Sequence, residues 1–95
     1  MNLDELQKLR PTIAKMLTKL TGGEIIDFDF ISDYLSHNRG RVNITWLFAV
    51  PGKVKKEYDG DMDKLMDKHF NTVTDVLKAV GAGDLIKTSM KYQVL

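Results

Sequence analysis

The sequence contains no cysteine, which excludes a disulfide scaffold, a thiolate zinc site and a cysteine nucleophile. Proline is almost absent, at Pro11 and Pro51 alone, and no Pro/Ser-rich linker or internal repeat divides the 95 residues. The chain therefore reads as a single domain, 1–95. No apolar run approaches the ~20 residues that cross a bilayer. The start, Met1-Asn2-Leu3-Asp4-Glu5-Leu6, is acidic and mixed where a secretory signal would be basic and then apolar. A cytoplasmic protein with no membrane association is expected. An excess of one charge is also missing: 14 Lys and Arg stand against 13 Asp and Glu, for a net charge of +1. That balance argues against a generic coat for polyanions.

What is present is the composition of a soluble globular protein, 43% hydrophobic and 28% charged. A chain of this size buries only ~60–65% of its unfolded surface, so one small core is expected. Leu3, Leu6, Leu9, Ile13, Leu17 and Leu20 recur at helical spacing. Asn2 with Glu5 resembles a capping box, and Gly22-Gly23 supplies a stop. Pro11 inside this run predicts a kink or a fresh start. A second helix is predicted from Met62 through Leu65, Met66, Phe70, Val73, Val76, Leu77 and Val80, capped by Asp59 or Asp61 and ended by Gly81-Ala82-Gly83.

The middle of the chain alternates with period two. Ile26, Phe28 and Phe30 stand against Asp27 and Asp29, and Val42, Ile44, Trp46, Phe48 and Val50 repeat the pattern up to Pro51-Gly52. With His37-Asn38-Arg39-Gly40-Arg41 as the turn, a β-hairpin pairing 24–36 with 41–50 is predicted. A short helix through Phe28, Ile31 and Leu35 is the rival reading of the first run. Ile86, Thr88, Met90, Tyr92 and Val94 alternate again, which predicts a C-terminal strand. The fold class is α+β in the order α-β-β-α-β, a hairpin and a third strand with two helices packed on one sheet face.

Motifs for chemistry are weak. Asp59, Asp61 and Asp63 alternate like the start of a calcium loop, but position six is Lys64 where glycine is needed and position twelve is Phe70 where glutamate is needed. These acids are better placed to cap a helix and complement its dipole. Asp27, Asp29 and Asp33, with Glu24 nearby, form a second acidic group that reads as a solvated sheet face. His37 and His69 have no metal-ligand spacing, and His69 is expected on a helix flank with one nitrogen wet. Ser32, Ser36 and Ser89 lack a nucleophile turn, and the glycine turns lack phosphate-loop spacing. No catalytic residue, metal or cofactor is assigned, and an enzyme is not expected. A metal-dependent hydrolase on either acidic group is the least favoured alternative.

Charge is segregated despite the balanced total. Residues 1–23 sum to +2, 24–33 to −4, 34–56 to +5, 57–67 to −4 and 68–95 to +2. Arg39 and Arg41 fall at the hairpin tip and suit carboxylate or phosphate partners. Lys53, Lys55 and Lys56 follow the second strand in a loop, about 30 Å away along nine residues of strand, and are candidate phosphate-binding residues. Trp46 and Phe48 share the apolar phase and read as core rather than as stacking platforms. Ile25, Ile31, Leu35, Leu47 and Ala49 lie on the opposite phase and predict an apolar patch on the second sheet face. Met62, Met66 and Met90 add adaptable side chains.

The function expected from these observations is a non-catalytic protein-interaction module: a regulator, inhibitor or assembly factor that binds another protein or self-associates as a homodimer. Its predicted contacts are Arg39 and Arg41 with Ile31, Leu35 and Leu47. The alternative is a nucleic-acid or phosphate-ligand binder using the tip arginines and the 53–56 lysines.

Overall fold

The structure, a computed structural model, describes residues 1–35, 41–87 and 90–95. Three α-helices and a three-stranded sheet follow in the order α1 (Leu3–Leu20), β1 (Asp27–Leu35), β2 (Arg41–Ala49), α2 (Gly52–Glu57), α3 (Met62–Ala79) and β3 (Met90–Val94). A 3-10 turn, Leu85–Lys87, leads toward β3. This is the expected α+β order, with the short α2 added before α3.

Helix α1 begins where the Asn2 side chain accepts a hydrogen bond from the Glu5 amide at 2.8 Å, satisfying one of the free amides of the first turn. It buries Leu6, Ile13 and Leu17. The expected break at Pro11 does not occur: the helix runs through it. Pro11 and Gln7 are both exposed, so the Gln7 carbonyl that loses its amide partner faces water rather than the core. The helix stops at Thr21, after which Gly22 and Gly23 take φ of 65° and 81°, and the Gly23 amide returns to the Thr18 carbonyl at 2.8 Å.

The alternation at 27–35 forms a strand, not the rival helix. β1 pairs antiparallel with β2 from Asp27↔Ala49 to Leu35↔Arg41, a shorter span than the predicted 24–36 with 41–50. The turn residues His37, Asn38, Arg39 and Gly40 lie outside the described residues. β3 pairs on the other side of β2 in parallel, from Ile44↔Met90 to Phe48↔Val94, giving the sheet order β1-β2-β3. Residue 88, expected within this third strand, lies outside the described residues, as does Ser89.

One face of the sheet carries Phe28, Ile44, Trp46 and Phe48, all fully buried. They meet Leu6, Ile13 and Leu17 of α1 and Leu65, Val73, Val76 and Leu77 of α3 in a single hydrophobic cluster. Full burial of each such side chain contributes about 1.5–3 kcal/mol. Aromatic rings run across this face, with centroids 5.5 Å apart for Phe28–Trp46, 5.8 Å for Phe28–Phe48 and 5.6 Å for Phe48–Tyr92. Trp46 and Phe48 are thus core residues, as expected.

Three expectations are corrected. Lys53, Lys55 and Lys56 belong to helix α2 rather than a loop, with Val54 as its one buried anchor. Six residues are too few to show a helical period. Ile25 precedes β1 and is fully buried in the core, so it does not belong to an outer patch. On α3 the buried stripe runs through His69, while Phe70 is turned outward.

Candidate interaction surface

Three features of this fold could act on other molecules: the open sheet face, the free edge of the sheet, and a polar cluster around Glu24.

The open face is set by the pleat, since residues alternate between the core and the other side. Asp27, Asp29, Ile31 and Asp33 of β1 stand there with Asn43, Thr45, Leu47 and Ala49 of β2 and with Lys91 and Gln93 of β3. Ile31 is 51% exposed, and Leu47 and Ala49 are half-buried. Arg10 reaches from α1 to this side and pairs with Asp29 at 3.0 Å. Asp27 and Asp33 have no ion pair among the described residues. Among the described residues the face is therefore more polar than the expected apolar patch, with Ile31, and Leu95 just past β3 beside Leu47 and Ala49, as its most exposed apolar side chains. The side chains of Leu35 and Arg41 lie outside the described residues, as does Arg39, so the predicted tip contacts receive no geometry. Arg41 opens β2 while the α2 lysines follow its other end, so the two basic groups occupy opposite ends of the strand.

The two edges of the sheet are treated differently. Along the entry to β1, α1 supplies side-chain donors: Arg10 Nε to the Phe28 carbonyl at 3.5 Å and Thr18 Oγ1 to the Ile26 carbonyl at 3.4 Å. β3 is the opposite edge, and no described segment pairs with its outer side. The Leu95 amide donates to the Phe48 carbonyl at 2.9 Å. By the alternation of a parallel ladder, odd-numbered residues of β3 bond inward to β2, and Met90, Tyr92 and Val94 direct their amides and carbonyls outward. Between this edge and α3 lies a cleft of about 580 Å³ lined by Asp63, Met66, Asp67, Met90, Lys91 and Tyr92. Phe70, 46% exposed, continues the α3 side and meets the Tyr92 ring edge-on, centroids 6.0 Å apart. The Tyr92 hydroxyl is buried without a hydrogen-bond partner among the described residues, and burial pushes its pKa up.

Glu24 gathers a cluster that sequence spacing could not reveal. Its carboxylate accepts hydrogen bonds from His69 Nε2 at 2.6 Å, Lys68 Nζ at 3.1 Å and the Tyr58 hydroxyl at 3.0 Å. The residues come from the segment before β1, the end of α2 and the middle of α3. Burial alone would raise the Glu24 pKa, but the hydrogen bonds from His69, Lys68 and Tyr58 outweigh it and hold the carboxyl below its ordinary value. The Lys68 ammonium is held above its own by the Tyr58 hydroxyl and then by Glu24. His69 is not a wet flank residue: its side chain is only 8% exposed and its Nε2–H faces Glu24. The arrangement ties three segments together through one carboxylate.

The Asp59 cluster divides into separate roles. Asp59 takes φ of 52° in the turn after α2, Asp61 caps α3 by accepting from the Lys64 amide at 3.1 Å, and Asp63 lies in the first turn of α3. Among the described residues no group of three or more His, Asp or Glu side chains is placed to hold a metal ion. No described helix is long and apolar enough to cross a membrane.

Fold and surface together define a small α+β domain with a mixed sheet dressed by helices on one side. No protein-family model, curated protein or solved structure matches this chain.

Proposed function

We propose that the protein is a non-catalytic interaction module, a small regulator, inhibitor or assembly factor that acts by binding another protein. The single observation that carries this reading is the one-sided dressing of the sheet. All buried apolar helix residues share one cluster with the Trp46 face, while Ile31 stands 51% exposed on the other. Asp33 beside Ile31, and Asp27 further along the face beyond the paired Asp29, have no ion-pair partners among the described residues, so the partner that suits this face presents basic side chains around an apolar one. Arg39, Arg41 and Leu35 are proposed as further contacts at the hairpin tip. A cytoplasmic location accords with the cysteine-free sequence.

The test is affinity capture from the source cells alongside size-exclusion chromatography with light scattering. A specific protein partner, lost in the Ile31→Lys variant, is expected. A strict monomer that captures no protein overturns the reading. Capture of a second copy of the chain would replace a foreign partner with self-association. Capture of nucleic acid, with affinity falling steeply in salt, would replace both with the phosphate-binding alternative.

A further inference from the structure

We propose that the outer edge of β3 is a docking site for an extended, basic segment of another protein, which adds to the sheet as a fourth strand. The inference shares with the preceding one only that the protein binds another chain, and it uses a different surface.

Three independent observations meet there. The first is backbone chemistry. Met90, Tyr92 and Val94 direct their amides and carbonyls away from β2, and no described segment receives them. An exposed strand edge is a template for pairing unless something blunts it. At the entry to β1 the chain blunts its edge with Arg10 and Thr18, but among the described residues no comparable side-chain donor reaches β3. The second is shape. Asp63, Met66, Asp67 and Phe70 follow one another at helical spacing, so a single stripe of α3 runs beside β3 and leaves the 580 Å³ cleft between them. Met66 and Met90 border it with flexible, polarizable side chains, and Phe70 extends it. The third is charge. Asp63 and Asp67 are exposed on the helix side, and neither has an ion-pair partner among the described residues. Lys91 borders the cleft from the open face and offsets one of them.

A strand laid along Met90–Val94 would form its ladder with the outward groups, and alternate side chains would face the cleft. The complement is an apolar residue against Met66 and Phe70 with a Lys or Arg near Asp63 and Asp67. Five residues of edge span about 17 Å, which places the contact among weak, exchangeable ones.

The test is selection of a displayed random short-peptide library on the full chain, followed by NMR titration of the enriched peptides. Enriched sequences are expected to alternate apolar with Lys or Arg, and their binding is expected to shift the amides of Met90, Tyr92 and Val94. Val94→Pro removes an outward amide without touching the β2 ladder, so circular dichroism should be unchanged and binding lost. Asp63→Lys with Asp67→Lys should weaken binding by about tenfold and reduce its salt dependence. Ile31→Lys should leave it unaltered. Should Val94→Pro disturb the fold, N-methylation of alternate peptide amides serves on the unaltered protein: one register should abolish binding and the other spare it. No enriched sequence, or binding indifferent to Val94→Pro and to both N-methyl registers, overturns the edge proposal. Loss through Ile31→Lys alone also overturns it, while supporting the open-face reading.

Discussion

His69 Nε2 lies 2.6 Å from Glu24 Oε1, which joins two residues 45 positions apart through a carboxylate only 18% exposed. The same oxygen accepts from Lys68, and the Tyr58 hydroxyl completes the set. Removing the acceptor strands a buried imidazole, so Glu24→Ala is expected to cost about 1–3 kcal/mol of unfolding free energy. Urea denaturation measures it. A double-mutant cycle with His69→Ala should show a coupling of about 0.5 kcal/mol or more, and additive costs would show that the two side chains act independently.

The acid side of the stability profile should bear the mark of the same carboxylate. The Glu24 pKa in the folded protein lies below its ordinary 4.5. The stability it contributes is therefore fully present above that value and is lost as pH falls through the folded pKa. Between about pH 5 and pH 3 the wild-type midpoint should fall more steeply than that of Glu24→Gln, measured by thermal melts at matched ionic strength. Parallel profiles would show that Glu24 is not the titrating group.

Pro11 interrupts the hydrogen-bond ladder of α1 at an exposed position. Pro11→Ala restores an amide to the Gln7 carbonyl and relieves the preceding Arg10 of its steric restriction. A gain of about 1–3 kcal/mol is expected. A lower melting temperature in the variant would show that the proline fixes the direction of the helix.

Trp46 is the only tryptophan and is fully buried, with its indole N–H lacking a hydrogen-bond partner among the described residues. Its fluorescence should be blue-shifted in the folded state and move red in one transition with circular dichroism. Trp46→Ala should cost about 3–5 kcal/mol, enough to leave so small a domain largely unfolded. Trp46→Phe should cost far less, since it removes an unsatisfied donor along with some packing.

Much of this fold was legible in the sequence because side-chain alternation is a local signal. Phe28 against Asp29, and Trp46 against Leu47, reported which way each residue faces. Asn2 and Asp61 marked helix starts by chemistry acting over three residues. What could not be read depends on distance or on length. The parallel direction of β3 follows from where the chain returns after α3, and nothing in Met90–Val94 itself encodes it. Helix α2 is a single turn and a half with one anchor, Val54. Glu24 and His69 come from segments whose meeting is a result of the fold, so neither carried a local sign of the other. Ile25 shares the parity of Asp29 and Ile31, but the strand begins two residues later at Asp27, and before that point parity no longer dictates which way a side chain faces.

The placement of β3 also sets an order of assembly. Partners in the hairpin are six residues apart at Leu35↔Arg41 and 22 at Asp27↔Ala49, whereas Ile44 and Met90 are separated by 46. Closing the longer loop costs more entropy before any contact repays it, so the hairpin and helices can form while β3 is still searching. A five-residue strand held from one side is also the element that opens most readily once the protein is folded. Each opening uncovers the outer side of β2, so the slowest strand to arrive guards the strand that carries Trp46 and Phe48.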